Sequence, residues 1–369
     1  MRKIYILSIV LFVLTLAQTS FGQNFLDGEF NQEKKYLLLA HPTVQNLKTI
    51  IYLTEHGIFD IGDAEIIAVY HRDESYNFNQ SIKFVNEKQI NNIHFQQVKA
   101  HLDIPDMFKE NSCTPEFRTL FKSSSGIIFF GGPDIFPEVY NEENLHSVVT
   151  DPYRHVFELS LLFHLLGGSQ SPGFVPFLEA KPDYLITGFC LGMQTMNVAT
   201  GGSLYQDIPL QLYNAKKDQE IVALPKNELH RNYWQNISSD TLLMGINFHT
   251  IRLKVSSFFS SRVNYHRIFP PRVLSSHHQS VKKLGQGWQI TALSRDGKVI
   301  ESFCHERYPN VFAVQFHPEV PALYEDRDKL KFTPDDKPQT YHQIIGKRGL
   351  NFNEKYWQCI SEAFRDAMN

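Results

Sequence analysis

From about residue 35 onward, short runs rich in β-branched and aromatic residues alternate with amphipathic stretches, and no repeat, low-complexity tract or flexible linker interrupts them. Residues 36–39 read as a strand, 44–55 as a helix stopped by Gly57, and 65–69 as a second strand. Further on, 126–130 form an apolar strand running into Gly131 and Gly132, 151–166 are helical, and 184–187 are another short strand. Strands separated by helices pair in parallel and need cover on both faces, so the pattern predicts an α/β fold with a mostly parallel central sheet. The second half is richer in strands, at 248–255, 288–293, 299–303 and 311–315, and some of these are expected as antiparallel additions. A last helix at 353–367 carries Tyr356, Trp357, Ile360 and Phe364 on one apolar face.

Charge excludes some partners. With 36 basic against 39 acidic residues, a net charge of -3 gives no general attraction to nucleic acid or to an anionic membrane. Four scattered cysteines without a C-x-x-C pair point away from a disulfide framework, a zinc ribbon or thioredoxin-like redox chemistry. Arg2 and Lys3 precede an apolar run over 4–17, and small residues, Ser20 and Gly22, follow it. This is the layout of a secretory signal peptide at 1–22, too short in its apolar part to span a membrane, leaving 23–369 as one continuous domain. The expectation is an exported protein, periplasmic or secreted, with no stable membrane insertion after cleavage.

The strand at 184–187 ends in Gly188-Phe189-Cys190-Leu191-Gly192-Met193-Gln194, and helix-forming residues follow up to Gly201-Gly202. Glycines two residues to either side of Cys190 let a sharp strand-to-helix turn close and lift the central side chain clear of the sheet. The sulfur then lies at a helix N-terminus, which favours the thiolate, the nucleophilic form. Cys113, Cys304 and Cys359 lack such a setting and read as packed thiols. A thiol nucleophile needs an imidazole to move its proton and an acid to orient the imidazole. The strand at 311–315 leads into Phe316-His317-Pro318-Glu319, where extended geometry puts residues i and i+2 on one side and lets Glu319 reach the ring of His317. Donors for an oxyanion are offered by the backbone of Gly131-Gly132-Pro133-Asp134 and by Leu191 N–H, just after the cysteine.

Four segments in order, Gly131 to Ile135, Gly188 to Gln194, Ser276-His277-His278-Gln279 and Gln315 to Glu319, resemble the class I glutamine amidotransferase-like superfamily, and within it the gamma-glutamyl hydrolase-like cysteine peptidase family. The resemblance implies a flavodoxin-like three-layer α/β/α sandwich. It implies a catalytic triad of Cys190, His317 and Glu319, an oxyanion hole at Gly132 and Leu191, and substrate-side positions at Gly131, Gln194, His278 and Gln279. The implied activity is hydrolysis of a small gamma-glutamyl amide or peptide through an acyl-enzyme, without a cofactor. Three other readings are a glutaminase-type subunit that passes ammonia to a synthase partner, a binding protein that keeps the fold with a silent pocket, and an α/β-hydrolase with cysteine in its elbow. The last is disfavoured because its acid precedes the histidine by a long interval. Segments 167–181 and 205–271 are long for connections in this family, and loops of that length are expected to shape the pocket. His277-His278 and Cys304-His305-Glu306 have neither H-E-x-x-H spacing nor a set of four ligands, so no metal is expected. Oligomeric state is not legible.

Overall fold

The computed structural model describes residues 24–28, 30–254, 258–265 and 270–369. The expected signal peptide at 1–22 lies outside the described residues, as does residue 255. In chain order the first half runs α1 (Phe25–Gly28), β1 (Tyr36–Ala40), α2 (Val44–Glu55), β2 (Glu65–His71), α3 (Asn79–Glu87), β3 (Ile93–Val98), α4 (Thr114–Lys122), β4 (Gly126–Phe129) and α5 (Pro152–Leu166). The second half runs β5 (Leu185–Phe189), α6 (Leu191–Ala199), β6 (Ser203–Tyr205), α7 (Ile208–Tyr213), α8 (Asp218–Val222), β7 (Asn247–Leu253) and α9 (Phe258–Ser261). It continues with β8 (Arg272–Ser275), β9 (Ser280–Lys283), β10 (Trp288–Ser294), β11 (Ile300–His305), β12 (Val311–Val314) and α10 (Tyr341–Met368).

Ten strands form one sheet in the order β3-β2-β1-β4-β5-β12-β11-β10-β7-β8. The six strands from β3 to β12 pair in parallel, and the pairs from β12 outward to β8 are antiparallel. The inner parallel strands are largely apolar on both sides. In β1, Tyr36, Leu38 and Ala40 enter one core with α4, α5 and α6, while Leu37 and Leu39 enter the other with α2, α3 and α10. The result is the α/β/α sandwich that the alternating pattern predicts. The order turns back on itself between β1 and β4, and in open α/β sheets ligands collect beyond the carboxyl ends of the strands at such a reversal.

Caps set where the helices start. Asp151 accepts from Arg154 N at the head of α5, with Pro152 at the first helical position, and Thr340 with Gln343 forms a capping box on α10. The last helix therefore begins well before residue 353, but Gly346, at φ +63°, breaks its first turn from the long docked portion. Sequence periodicity passes over α3, β3 and α4 because their apolar positions are few and interleaved with polar ones. Segment 167–181 does not border the strand ends where ligands collect. Its Phe177 ring packs on Phe121, and Lys181 Nζ donates to Ser124 O just before β4, which puts it at the amino ends of the strands. The start of segment 205–271 does lie on the carboxyl side, where Gln206 accepts from Leu145 N and His146 N, whereas Arg262, just after α9, donates to Asn310 ahead of β12, at the amino ends. Among the described residues no helix is long and apolar enough to cross a membrane.

Candidate active site

Cys190 occupies the turn between β5 and α6 with φ +52° and ψ −106°, a conformation that side chains other than glycine rarely adopt and that costs on the order of 1–3 kcal/mol. Its flanking glycines serve close packing. A Cβ on Gly188 would lie 2.6 Å from Gly192 C, and one on Gly192 would lie 2.4 Å from Phe129 O. Only bare backbone lets the helix start this near the sheet. Leu191 opens α6, so its N–H has no acceptor within the helix.

His317 and Glu319, expected as base and orienting acid, arrive from the neighbouring strand. Cys190 N donates to Val314 O at 3.0 Å, tying the turn to the end of β12, and His317 follows three residues later. His317 Nδ1 is 2.6 Å from Glu319 Oε1, and with the carboxylate as acceptor that nitrogen carries the proton. Pro318 between them is clamped through its carbonyl, which accepts from Tyr324 Oη at 2.6 Å and from Trp357 Nε1 at 3.0 Å. Gly131 sits between base and thiol: a Cβ there would lie 3.0 Å from His317 Cε1 and 3.5 Å from Cys190 Cβ. Burial works against the His317 cation, but Glu319 and Cys190 beside it outweigh that and hold its pKa well above the ordinary histidine value. His317 Nε2 has no hydrogen-bond partner among the described residues. Cys190 is 6% exposed, and Gly132 in the loop after β4 is open to solvent.

A buried arginine shapes the glycine loop. Arg154 Nη2 donates to Phe130 O at 3.0 Å and to Gly131 O at 3.2 Å, and its Nε donates to Glu158 Oε1 at 2.9 Å. Because a trans peptide points its C=O and N–H in opposite directions, holding Gly131 O turns Gly132 N–H away from the arginine. A Cβ on Gly132 would lie 2.0 Å from Arg154 Nη1, so the loop requires glycine here for space. Sequence reasoning passes over Arg154. The signal available was an Arg and a Glu four residues apart inside an otherwise apolar helix.

The other predicted positions form a polar wall. Gln194 Nε2 donates to Gln279 O at 3.2 Å and to Gln315 Oε1 at 3.3 Å, and Gln279 Nε2 donates to Ser147 Oγ at 2.7 Å. His278 Nε2 lies 2.9 and 3.0 Å from the two oxygens of Asp134, and its Nδ1 lies 3.5 Å from Asp207 Oδ2. Burial disfavours the charged ring, but the two carboxylates outweigh it and bring His278 up to about 9. Thus Gln194, His278 and Gln279 are engaged with the protein around the cleft. The remaining cysteines are free, and burial pushes the thiols of Cys113 and Cys359 up to about 12 and that of Cys304 up to about 11. A cleft of about 810 Å³ lined by Arg118, Phe121, Phe174, Val175 and Phe177 contains none of these groups, so chemistry and not volume designates the site.

Comparison with known proteins bears on residues from β2 to the His-Pro-Glu segment. The family model for peptidase C26 matches residues 65–319. The protein NtpR of Enterococcus hirae is 30% identical over 211 residues, which is 56% of this chain and 71% of that protein. The glutamine amidotransferase-like protein YvdE of Lactococcus lactis is 30% identical over 207 residues, 56% of this chain and 70% of its own length. A glutamine amidotransferase-like protein of Rickettsia prowazekii, RP404, is 30% identical over 219 residues, covering 54% and 72% respectively.

Proposed function

This chain belongs to the peptidase C26 family, among the class I glutamine amidotransferase-like proteins, and from that membership we propose that it hydrolyses gamma-glutamyl or closely similar amide bonds through Cys190, His317 and Glu319. The observation that carries the proposal is a strained cysteine at the head of α6, beside a histidine whose far nitrogen is held 2.6 Å from Glu319. In the first half-reaction the Cys190 sulfur, its proton taken by His317 Nε2, bonds to the amide carbon. The N–H groups of Gly132 and Leu191 meet the negative charge that develops on the carbonyl oxygen. His317 then returns the proton to the departing amine as the C–N bond breaks, leaving a thioester on Cys190. Water, activated by the same imidazole, attacks that thioester and frees the acid. Glu319 keeps one tautomer throughout and balances the imidazolium. Gly131, Gln194, His278 and Gln279 form the substrate side of the cleft, and the fixed charges of Asp134 and His278 select a small polar ligand.

The test is a panel of gamma-glutamyl amides, gamma-glutamyl peptides and glutamine, assayed with wild type and Cys190→Ala. Wild type is expected to release glutamate from at least one compound, and the folded variant to release none. Release that persists in the variant overturns the nucleophile, and absence of release from every compound by wild type overturns hydrolysis in favour of a binding role. Export is a second, separable proposal resting on the basic-apolar-small pattern of residues 1–22. Intact mass of the protein recovered from its native host checks it, and a chain still carrying Met1 to Gly22 refutes it.

A further inference from the structure

Four ionisable side chains from four different segments converge inside the antiparallel half of the sheet, and none of them takes part in the chemistry above. They are His230, in the segment between α8 and β7, His249 in β7, His277 just after β8, and Glu301 in β11. Their exposures are 2%, 0%, 3% and 0%. His230 Nδ1 is 3.2 Å from Glu301 Oε1, and His249 Nε2 is 3.6 Å from the same oxygen. The ring of His230 lies 4.7 Å from that of His249 and 4.8 Å from that of His277, centre to centre. One donor atom from each of His230, His277 and Glu301 falls within 4.8 Å of the others.

Proximity alone would be a polar cluster, but few of these atoms make a hydrogen bond. Among the described residues, neither ring nitrogen of His230 or His249, nor Nε2 of His277, nor either oxygen of Glu301 is hydrogen-bonded, although His230 and His249 face Glu301 across 3.2 and 3.6 Å. A buried polar group left unpaired costs about 1–3 kcal/mol, and a shared ligand would offset that cost for the whole group at once. The other buried His/acid grouping, His41 with Glu74 and Asp151, shows the contrast. There Glu74 engages His41 Nδ1 and accepts from His71 N, and Asp151 accepts from Ser75 N and Arg154 N, so both carboxylates are hydrogen-bonded.

The unpartnered atoms are also aimed and held. His277 Nδ1 lies 2.7 Å from Gln279 O, and because a carbonyl only accepts, the proton is on Nδ1 and the bare lone pair of Nε2 faces the cluster. An outer carbonyl fixing the tautomer of an inner imidazole is the arrangement that supports metal-ligating histidines. The His230 backbone is fastened at its carbonyl by His277 N at 3.0 Å and Ser275 Oγ at 2.7 Å, and Asn247 Nδ2 holds the adjoining Leu229 O. The His230–Glu301 separation of 3.2 Å is close to the edge, about 3.3 Å, of a tetrahedron with bonds of 2.0–2.1 Å.

We propose that His230, His277 and Glu301 form a buried binding site for a divalent transition-metal ion of the zinc type, with His249 beside it. Two imidazoles and one carboxylate are the borderline nitrogen and oxygen donors that such an ion prefers over magnesium or calcium. Burial of all three ligands makes the site structural. The ion joins β11, the end of β8 and the segment before β7, and through His277 it steadies Gln279, whose carbonyl also receives Gln194 from the helix that Cys190 heads. This inference does not rest on the hydrolase reading.

The test uses the full chain expressed with zinc in the medium and purified without chelator, with metal content measured by elemental analysis. About one equivalent of zinc per chain is expected, and after its removal, titration with zinc chloride restores both content and melting temperature. Cobalt(II) in its place is expected to give the intense visible bands of a tetrahedral N/O site. In Glu301→Gln, which keeps the shape, zinc affinity is expected to fall by more than about tenfold. Wild type that emerges without transition metal and takes up neither zinc nor cobalt overturns the proposal, whatever the variants do. So does zinc binding of unchanged strength in both Glu301→Gln and His230→Gln.

Discussion

In the parallel half of the sheet, buried charges sit just beyond the strand ends and meet partners there. Arg154 spans from Glu158 to the carbonyls of Phe130 and Gly131, and Glu74 bridges His41 and the backbone of His71. In the antiparallel half they sit within or beside the strands themselves, and among the described residues Glu301 and His249 make no hydrogen bond through their side chains. Parallel strands covered by helices on both faces leave little room for charged side chains along their length, so charge there gathers at the carboxyl ends, where helix N-termini and loops supply donors. The antiparallel strands enclose a polar centre of their own. The seam where the parallel half ends, its last pair β5 beside β12, carries Cys190 after one strand and His317 after the other. One sheet thus holds two kinds of polar centre, one at the strand ends and one among the strands.

The largest effect should fall at the seam. Glu319→Gln keeps the shape but leaves the imidazole without its counter-charge and free to take the wrong tautomer. We expect kcat for the amide substrate to drop on the order of 10³–10⁴-fold, with little change in melting temperature. A small loss would mean that the clamp on Pro318 orients the ring unaided.

Next comes the charged anchor of the parallel half. Arg154→Met strands Glu158, which is fully buried, and removes the hold on the Gly131 carbonyl. Destabilisation of about 3–5 kcal/mol in urea unfolding is expected, together with lost activity. The double variant Arg154→Met, Glu158→Leu should regain much of the stability and none of the activity, because only the first role can be replaced by packing. Recovery of both would remove Arg154 from the site.

His155 is an exception in that half, since among the described residues neither ring nitrogen is assigned a hydrogen bond. Burial, helped by the Arg154 charge, lowers its pKa to about 3. A histidine depressed in the folded state favours folding fully above its unfolded value of about 6.5 and loses that contribution as pH falls from there toward 3. Wild type should therefore lose stability faster than His155→Leu over that window, by up to roughly 1.4 kcal/mol per pH unit. Parallel curves for the two proteins would show that His155 is already charged and paired.

The smallest effect tests the antiparallel half away from its unpartnered cluster. Thr291 Oγ1 donates to Ser302 Oγ at 2.8 Å, and Ser302 Oγ in turn donates to Ala313 O at 2.8 Å. Thr291→Val removes one bond and leaves Ser302 satisfied, so a loss of about 1 kcal/mol is expected by denaturant titration. A loss several times larger would mean that polar groups in this half act as one connected network.

Much of the site was legible because its parts are local. The glycines around Cys190 and the two-residue step from His317 to Glu319 are encoded by neighbours along the chain, and the helix at Val44–Glu55 begins and ends where its Thr43 cap and Gly57 stop require. What escaped was set by distance in sequence. Gly132 and Arg154 are 22 positions apart, yet each dictates what the other can be. Segment 167–181 was expected near the pocket by its length alone, whereas the direction of α5 delivers it to the opposite end of the sheet.

The amino-acid sequence by itself therefore determined the alternating layers, the sharp turn that presents a sulfur and the paired imidazole and carboxylate, since each follows from periodicity or from side chains within reach along an extended backbone. Only the tertiary structure decided which distant polar residues meet. Strand order brings β7 and β11 to either side of β10, and that placement gathers His230, His249, His277 and Glu301 from positions spread over 71 residues of chain. No local pattern marks them, because each looks like an ordinary buried polar residue until its three companions arrive.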